Sequence, residues 1–313
     1  MSKVIEASRE QAVEQAKGRE QAASLSLPVI LALIGVYLIW GSTYLAIRYV
    51  VVGGLPPLIS AGLRFIVAGG GMYAFLRLRG APNPTRKEWG GATIMGALLL
   101  AGGNGLVSIA ELSVASGLAA LMIATVPLWT TVFAHVWGYS SSRFEWLGLL
   151  VGFAGVVILN LGGDMQANPG GALLLIIAAM SWAFGTVWSR RLTLPSGMMF
   201  TAAEMLAGGG VLLAMGLARG EWFTRVPTSD AIFGWLYLVV VGSLLGFTAF
   251  NYLLMHTRPA LATSYAYVNP VVAVLLGALI AGDKVSEFVL YAMPVILTGV
   301  AIVIFARSSK KEG

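Results

Sequence analysis

The chain has 313 residues, of which 58% are hydrophobic and 11% charged, with a net charge of +6 and 39 glycines. A soluble domain carries about 25% charged residues, so this chain could not cover its surface in water and the bilayer is its natural solvent. There is no cysteine, which excludes disulfides, thiolate metal sites and cysteine nucleophiles; the basic residues sit in short loops and tails, a positive-inside pattern rather than a nucleic-acid surface.

Residues 1–27 form a polar tail rich in Glu, Gln, Arg and Lys. It is not a signal peptide, because acids interleave with its bases and no short apolar core with a cleavage site follows. Apolar stretches then recur near 29–52, 56–78, 89–110, 115–137, 145–162, 171–189, 198–218, 231–255, 259–281 and 288–306. Most approach the roughly 20 residues a helix needs to cross the bilayer core. The connections are short and carry breakers: Pro56-Pro57, Pro82-Asn83-Pro84, Gly138, Gly162-Gly163, Pro195, Pro227 and Gly282. The pattern predicts an all-α polytopic membrane protein with ten transmembrane helices. A barrel would show alternating strands of about ten residues, and none is present.

Orientation follows from Lys and Arg. With the N-terminus inside, inside segments hold 15 basic residues and outside segments hold four, namely Arg48, Arg219, Arg225 and Lys284. That bias puts both termini in the cytoplasm of a plasma (inner) membrane protein.

The sequence repeats weakly at an offset of about 142–144. The segment Trp40 to Arg48 aligns with Trp182 to Arg190, and Ala119 to Pro127 with Ala262 to Pro270. Gly138, Phe144 and Gly155 align with Gly282, Phe288 and Gly299. Each half holds five spans. Five is odd, so the second half enters from the opposite face, an inverted repeat of the kind secondary transporters use to place a site near the midplane. The expected organisation is a polar cytoplasmic tail (1–27), a first repeat (28–163), a second, inverted repeat (164–307) and a basic cytoplasmic tail (308–313).

Gly117-Leu-Ala-Ala-Leu, Pro127, Trp146-Leu-Gly-Leu-Leu and Gly155-Val-Val-Ile-Leu resemble the second part of an EamA domain. Ala260 to Phe305, with Pro270, Gly282-Asp283 and Thr298-Gly299, resembles a second copy, and Arg64-Phe65 in the second span is also similar. The resemblance is to the drug/metabolite transporter superfamily, and within it to the YddG exporters of aromatic and other neutral amino acids. One departure is visible: the acid that often follows the Gly after the fourth span is Asp283 in the second half but Tyr139 in the first.

Pro127 and Pro270 fall near the middle of their spans, where proline kinks a helix and frees the carbonyl four residues back, here Ile123 and Ala266. They are hinge candidates, with a packing kink as the alternative. Trp40 and Trp182 are also central, and a midplane indole N–H must find a partner inside protein. With Tyr44, Asn104, Trp188, Asn251, Tyr252, Tyr265, Tyr267 and Asn269 they form the expected cavity set. Packing is the competing reading for each. Arg64 and Glu204 lie inside spans two and seven, so they are candidates for an ion pair or a coupling group. Gly148-x-x-x-Gly152 and the triplets Gly69–Gly71 and Gly208–Gly210 read as packing surfaces.

The expected activity is a secondary transporter working by alternating access, with no cofactor, metal or nucleic acid. Its partners are a small-molecule substrate and the lipid bilayer, as a monomer or homodimer. The resemblance implies an exporter of amino acids such as Trp, Phe, Met and Thr. Alternatives are an exporter of drugs, quaternary cations or other metabolites, and, in other classes, a channel or a membrane-embedded enzyme. No H-E-x-x-H or G-x-S-x-G motif supports an enzyme, and no phosphate-binding loop supports an ATP-driven pump.

Overall fold

A computed structural model describes residues 26–114, 119, 122–138, 141–161, 169–276, 279, 287–306. Tyr139, Asp283, residues 1–25 and residues 307–313 lie outside the described residues, and with them the acid after the fourth span and nearly all of both tails.

Ten principal helices follow in chain order among the described residues. They are α1 (Leu27–Val52), α2 (Pro57–Leu78), α3 (Arg86–Ala110), α4 (Val126–Val136), α5 (Arg143–Asn160), α6 (Pro169–Trp188), α7 (Met198–Ala218), α8 (Ser229–His256), α9 (Tyr265–Leu276) and α10 (Phe288–Phe305). Six are long and apolar enough to cross a bilayer by themselves. A single turn, Pro259–Ala262, leads into α9. No strand occurs among the described residues.

Local chemistry sets the helix ends. Thr85 caps α3 in a reciprocal box, its hydroxyl accepting from the Glu88 N–H and its own N–H donating to the Glu88 carboxylate. Ser142 and Thr228 accept from backbone N–H groups three residues on, opening α5 and α8. Helices α2 and α7 close alike. Gly80 (φ 83°) and Gly220 (φ 73°) turn left-handed after Arg79 and Arg219. The next residues, Ala81 and Glu221, donate back to Leu76 and Gly216.

The contacts between helices carry a two-fold pattern. Helix α2 packs most extensively on its repeat counterpart α7, and α5 on α10. Helix α1 packs on α9 and α8, and α6 correspondingly packs on α4 and α3. The closest approaches are made through glycine. A Cβ on Gly209 would stand 2.9 Å from the Gly62 carbonyl, and one on Gly148 would stand 2.8 Å from that of Gly299. Only the hydrogen side chain lets these backbones meet. In the triplets, Gly69, Gly208 and Gly209 pack, whereas Gly71 and Gly210 face open space.

The outer faces are apolar, with Leu31, Leu38, Phe75, Leu150, Phe233 and Leu290 all exposed. Such a surface is stable against lipid tails and not against water. The chain is therefore a polytopic helical membrane protein built from two repeats.

Proline placement differs in one half. Pro270 lies inside α9, as expected. Pro127 is the second residue of α4, after a turn at Ala124–Thr125. Met122 and Ile123 before that turn are helical and Thr125 keeps a right-handed helical backbone, so the break falls where Pro127 has no N–H to offer the Ile123 carbonyl.

Candidate functional site

Helices of the two repeats line a cavity between them. Helix α1 contributes Trp40, Thr43, Tyr44 and Ile47; α2 contributes Arg64; α3 contributes Gly103, Asn104 and Val107. Ile123 and Val126 come from the start of the fourth span, and Ala178 and Trp182 from α6. Helix α8 supplies Gly242 and Phe247, and α9 supplies Tyr265 and Asn269.

One wall is an aromatic cluster. The Trp40 and Trp182 rings meet edge to face with centroids 5.4 Å apart. Phe250 lies 5.0 Å from Trp40 and 5.5 Å from Trp182, and Tyr265 stands edge-on to Trp40 at 4.8 Å. Each aromatic pair adds about 0.5–1.5 kcal/mol beyond its burial. The Trp40 indole donates to the Gly242 carbonyl at 3.2 Å, while the Trp182 Nε1 is buried without a partner.

Two unusual backbone segments shape the cavity. Gly96–Gly105 in α3 and Leu238–Leu245 in α8 wind as π-helix, at equivalent places in the two repeats. A π-segment widens the helix and is frequent at functional sites. Just beyond or within these segments lie Gly246 and Gly103, on which the two tryptophans rest. A Cβ on Gly103 would stand 2.4 Å from the Trp182 ring, and one on Gly246 would stand 2.4 Å from the Trp40 Nε1.

Arg64 is the charged residue among the described residues lining the cavity, and it is 5% exposed. Its Nη2 donates to the Asn104 Oδ1 at 2.9 Å, and its guanidinium carbon lies 4.2 Å from the centroid of the Phe65 ring. The Asn269 amide, oriented to satisfy its surroundings, donates to the carbonyls of Tyr265 and Tyr37 at 3.1 and 3.2 Å. It thereby joins α9 to α1 beside the cavity.

The expected set divides. Trp40, Tyr44, Asn104, Trp182, Tyr265 and Asn269 line the cavity, and so does Arg64. Trp188 does not: it packs on Phe184, 5.2 Å away. Tyr252 stacks on His256 and lines a groove on the bundle exterior with Ala32, Met72 and Phe75. Tyr267 is fully buried in a second core beside Gly152. Asn251 instead donates to Glu204 at 2.6 Å and Thr201 at 3.2 Å. Arg64 and Glu204 form no ion pair, since Arg64 turns to Asn104 and Glu204 to Asn251. Glu204 is 0% exposed, and its Oε1 has no partner.

Sequence reasoning passed over Thr43, Gly103, Gly242 and Phe247. The glycines carried a signal, because Gly103 and Gly246 stand 143 positions apart and so match under the repeat. The metal question is simple: no cluster of three His, Asp or Glu side chains able to hold an ion occurs among the described residues.

A two-fold bundle of membrane helices around a shared, aromatic-walled cavity is the build of a membrane carrier. The chain belongs to the EamA-like transporter family, whose model matches it twice, over residues 27–161 and 169–305. It is 46% identical to the "Uncharacterized inner membrane transporter YedA" of Escherichia coli (strain K12), over 90% of this chain and 92% of that one. It is 26% identical to "Protein PecM" of Dickeya dadantii, covering 87% and 92% of the two chains. A "Probable amino-acid metabolite efflux pump" of Salmonella typhimurium is 24% identical over 86% of this chain and 92% of its own. A protein of known crystal structure, 21% identical, superposes with a TM-score of 0.73 over 90% of this chain and 98% of its own, a likeness of fold.

Proposed function

We propose that this transporter is a secondary carrier that exports small amino-acid-like metabolites by alternating access. The observation that carries the reading is the cavity itself. It sits between repeat-related helices, and its aromatic wall is made by one tryptophan from each repeat. Aromatic faces beside a few polar groups suit a small amphipathic solute. The efflux-pump relative and the resemblance to the YddG exporters support amino acids as the class.

Thr43, Tyr44 and Ile47 follow Trp40 along α1, so the cavity extends from the aromatic wall toward the end of the bundle where α1 finishes. The opposite end is crossed by inter-segment contacts. Arg258 reaches Glu145 at 3.6 Å and donates to the Val303 carbonyl, and Arg190 and Arg191 donate to the carbonyls of Thr257 and Trp137. With the N-terminus cytoplasmic in an inner membrane, as the basic residues suggest, that end faces the cytoplasm.

Counterflow in proteoliposomes tests the proposal. Vesicles preloaded with unlabelled tryptophan, phenylalanine, methionine or threonine should take up labelled amino acid in a saturable way. Folded protein that exchanges none of them would remove amino acids as the cargo.

A further inference from the structure

The geometry points to Arg64 as the anchor for a carboxylate on the transported solute, so that the cavity admits carboxylic and amino acids and rejects amines and quaternary cations that lack one. The inference deepens the carrier reading above and names the chemistry of its cargo.

Arg64 is a buried cation without a countercharge. It makes no ion pair among the described residues, where the ion pairs formed are Arg219–Glu221 and Arg258–Glu145. A guanidinium taken out of water and left unpaired costs several kcal/mol in order of magnitude. An ionisable group inside a span marks a substrate or ion pathway by default. The Asn104 bond and the Phe65 face hold the group still, which leaves its planar fork oriented rather than searching.

A second, independent observation gives the sign of the missing partner. Among the described cavity-lining residues, two buried side-chain atoms lack a hydrogen bond: the Arg64 Nε and the Trp182 Nε1. Both are donors. They come from opposite repeats and need acceptor oxygens, not another donor. A carboxylate supplies oxygens with two lone pairs each and a full negative charge, and it matches the guanidinium fork. The remaining wall of Trp40, Phe247 and Tyr265 then faces the apolar end of the solute, and its ring faces accept an α-ammonium. A solute bearing only positive charge would meet Arg64 in low dielectric with no carboxylate among the described lining residues.

The experiment measures binding and transport separately. Detergent-purified protein is heated with tryptophan, 3-indolepropionate (no amine) or tryptamine (no carboxylate), and the same compounds compete in counterflow. Tryptophan and 3-indolepropionate should raise the unfolding temperature and compete, with tryptamine weaker by about tenfold or more. Arg64→Gln should lose the carboxylate effect and Arg64→Lys should retain part of it, since the charge remains and the fork does not. Equal protection by tryptamine, or protection by carboxylates undiminished in a folded Arg64→Gln protein, overturns the assignment. So does the absence of any carboxylate effect on the wild type. The wild-type series needs no variant, so a misfolded mutant does not spare the idea. Carboxylate-specific protection without counterflow would instead sink the carrier reading and leave the Arg64 anchor standing.

Discussion

Trp40 and Trp182, 142 positions apart in the chain, meet edge to face with ring planes at 87°. Each repeat sends the same residue to the same place, and the two-fold brings them together. Each ring also rests on a glycine of the other repeat, Trp40 on Gly246 and Trp182 on Gly103. The central wall of the cavity is thus a duplicated device, a tryptophan seated on a glycine.

Gly103→Ala and Gly246→Ala should both destabilise the protein, by about 1–3 kcal/mol each, because a Cβ has no room under the indole. Gly71→Ala and Gly210→Ala face open space on helices and should be neutral or stabilising by up to about 1 kcal/mol. Thermal unfolding in one detergent compares all four. Equal effects at the two kinds of site would mean the tryptophans do not rest on those glycines.

Trp182→Phe should fold and keep its aromatic packing, but lose the indole N–H. Apparent affinity for amino acid should fall by about three- to tenfold, the worth of one hydrogen bond. Trp182→Ala should cost about 3–5 kcal/mol of stability as well, since it opens a hole in the cluster with Trp40 and Phe250. Counterflow concentration curves and unfolding temperatures separate the two effects.

Glu204 is fully buried and off the cavity lining, with Asn251 as its hydrogen-bond partner. Glu204→Gln keeps an acceptor for Asn251 and removes a costly charge. The variant should be at least as stable as the wild type, and any pH response of transport should survive. Asn251→Leu strands the carboxyl and should destabilise by about 1–3 kcal/mol. Loss of the pH response in Glu204→Gln would make Glu204 the coupling group after all.

Arg258 joins the turn before α9 to Glu145 at the start of α5, across the repeat boundary. Removing either partner alone leaves the other without its ion pair, so Arg258→Met and Glu145→Gln should each destabilise. The double variant should cost less than the sum, with a coupling of about 1 kcal/mol. Strictly additive unfolding energies would show that the pair does not act as a clamp.

Much of the architecture was readable in the chain alone. Apolar runs, short breaker-rich connections and the offset near 142–144 name the spans and the repeat, because the bilayer punishes any exposed backbone and leaves helices as the solution. The same offset pairs Trp40 with Trp182, and centrality in a span marked both for the cavity. Arg64 and Glu204 stood out because charge is rare inside spans. Which way each side chain turns was not readable. Trp188, Tyr252 and Tyr267 look as suitable as Tyr44 or Tyr265, yet they face a neighbouring aromatic, an outer groove and a second core. The π-segments of α3 and α8 rotate the residues beyond them, so positions counted at a steady 3.6 per turn lose their face. At Pro127 a turn at Ala124–Thr125 separates the helical residues Met122 and Ile123 from α4. By itself, then, the sequence determined the solvent, the number of spans and the repeat, since these depend on hydropathy and spacing summed over many residues. Only the tertiary structure decided that Arg64 turns to Asn104 and Glu204 to Asn251, because such a choice depends on the rotation of single helices against neighbours far away in the chain.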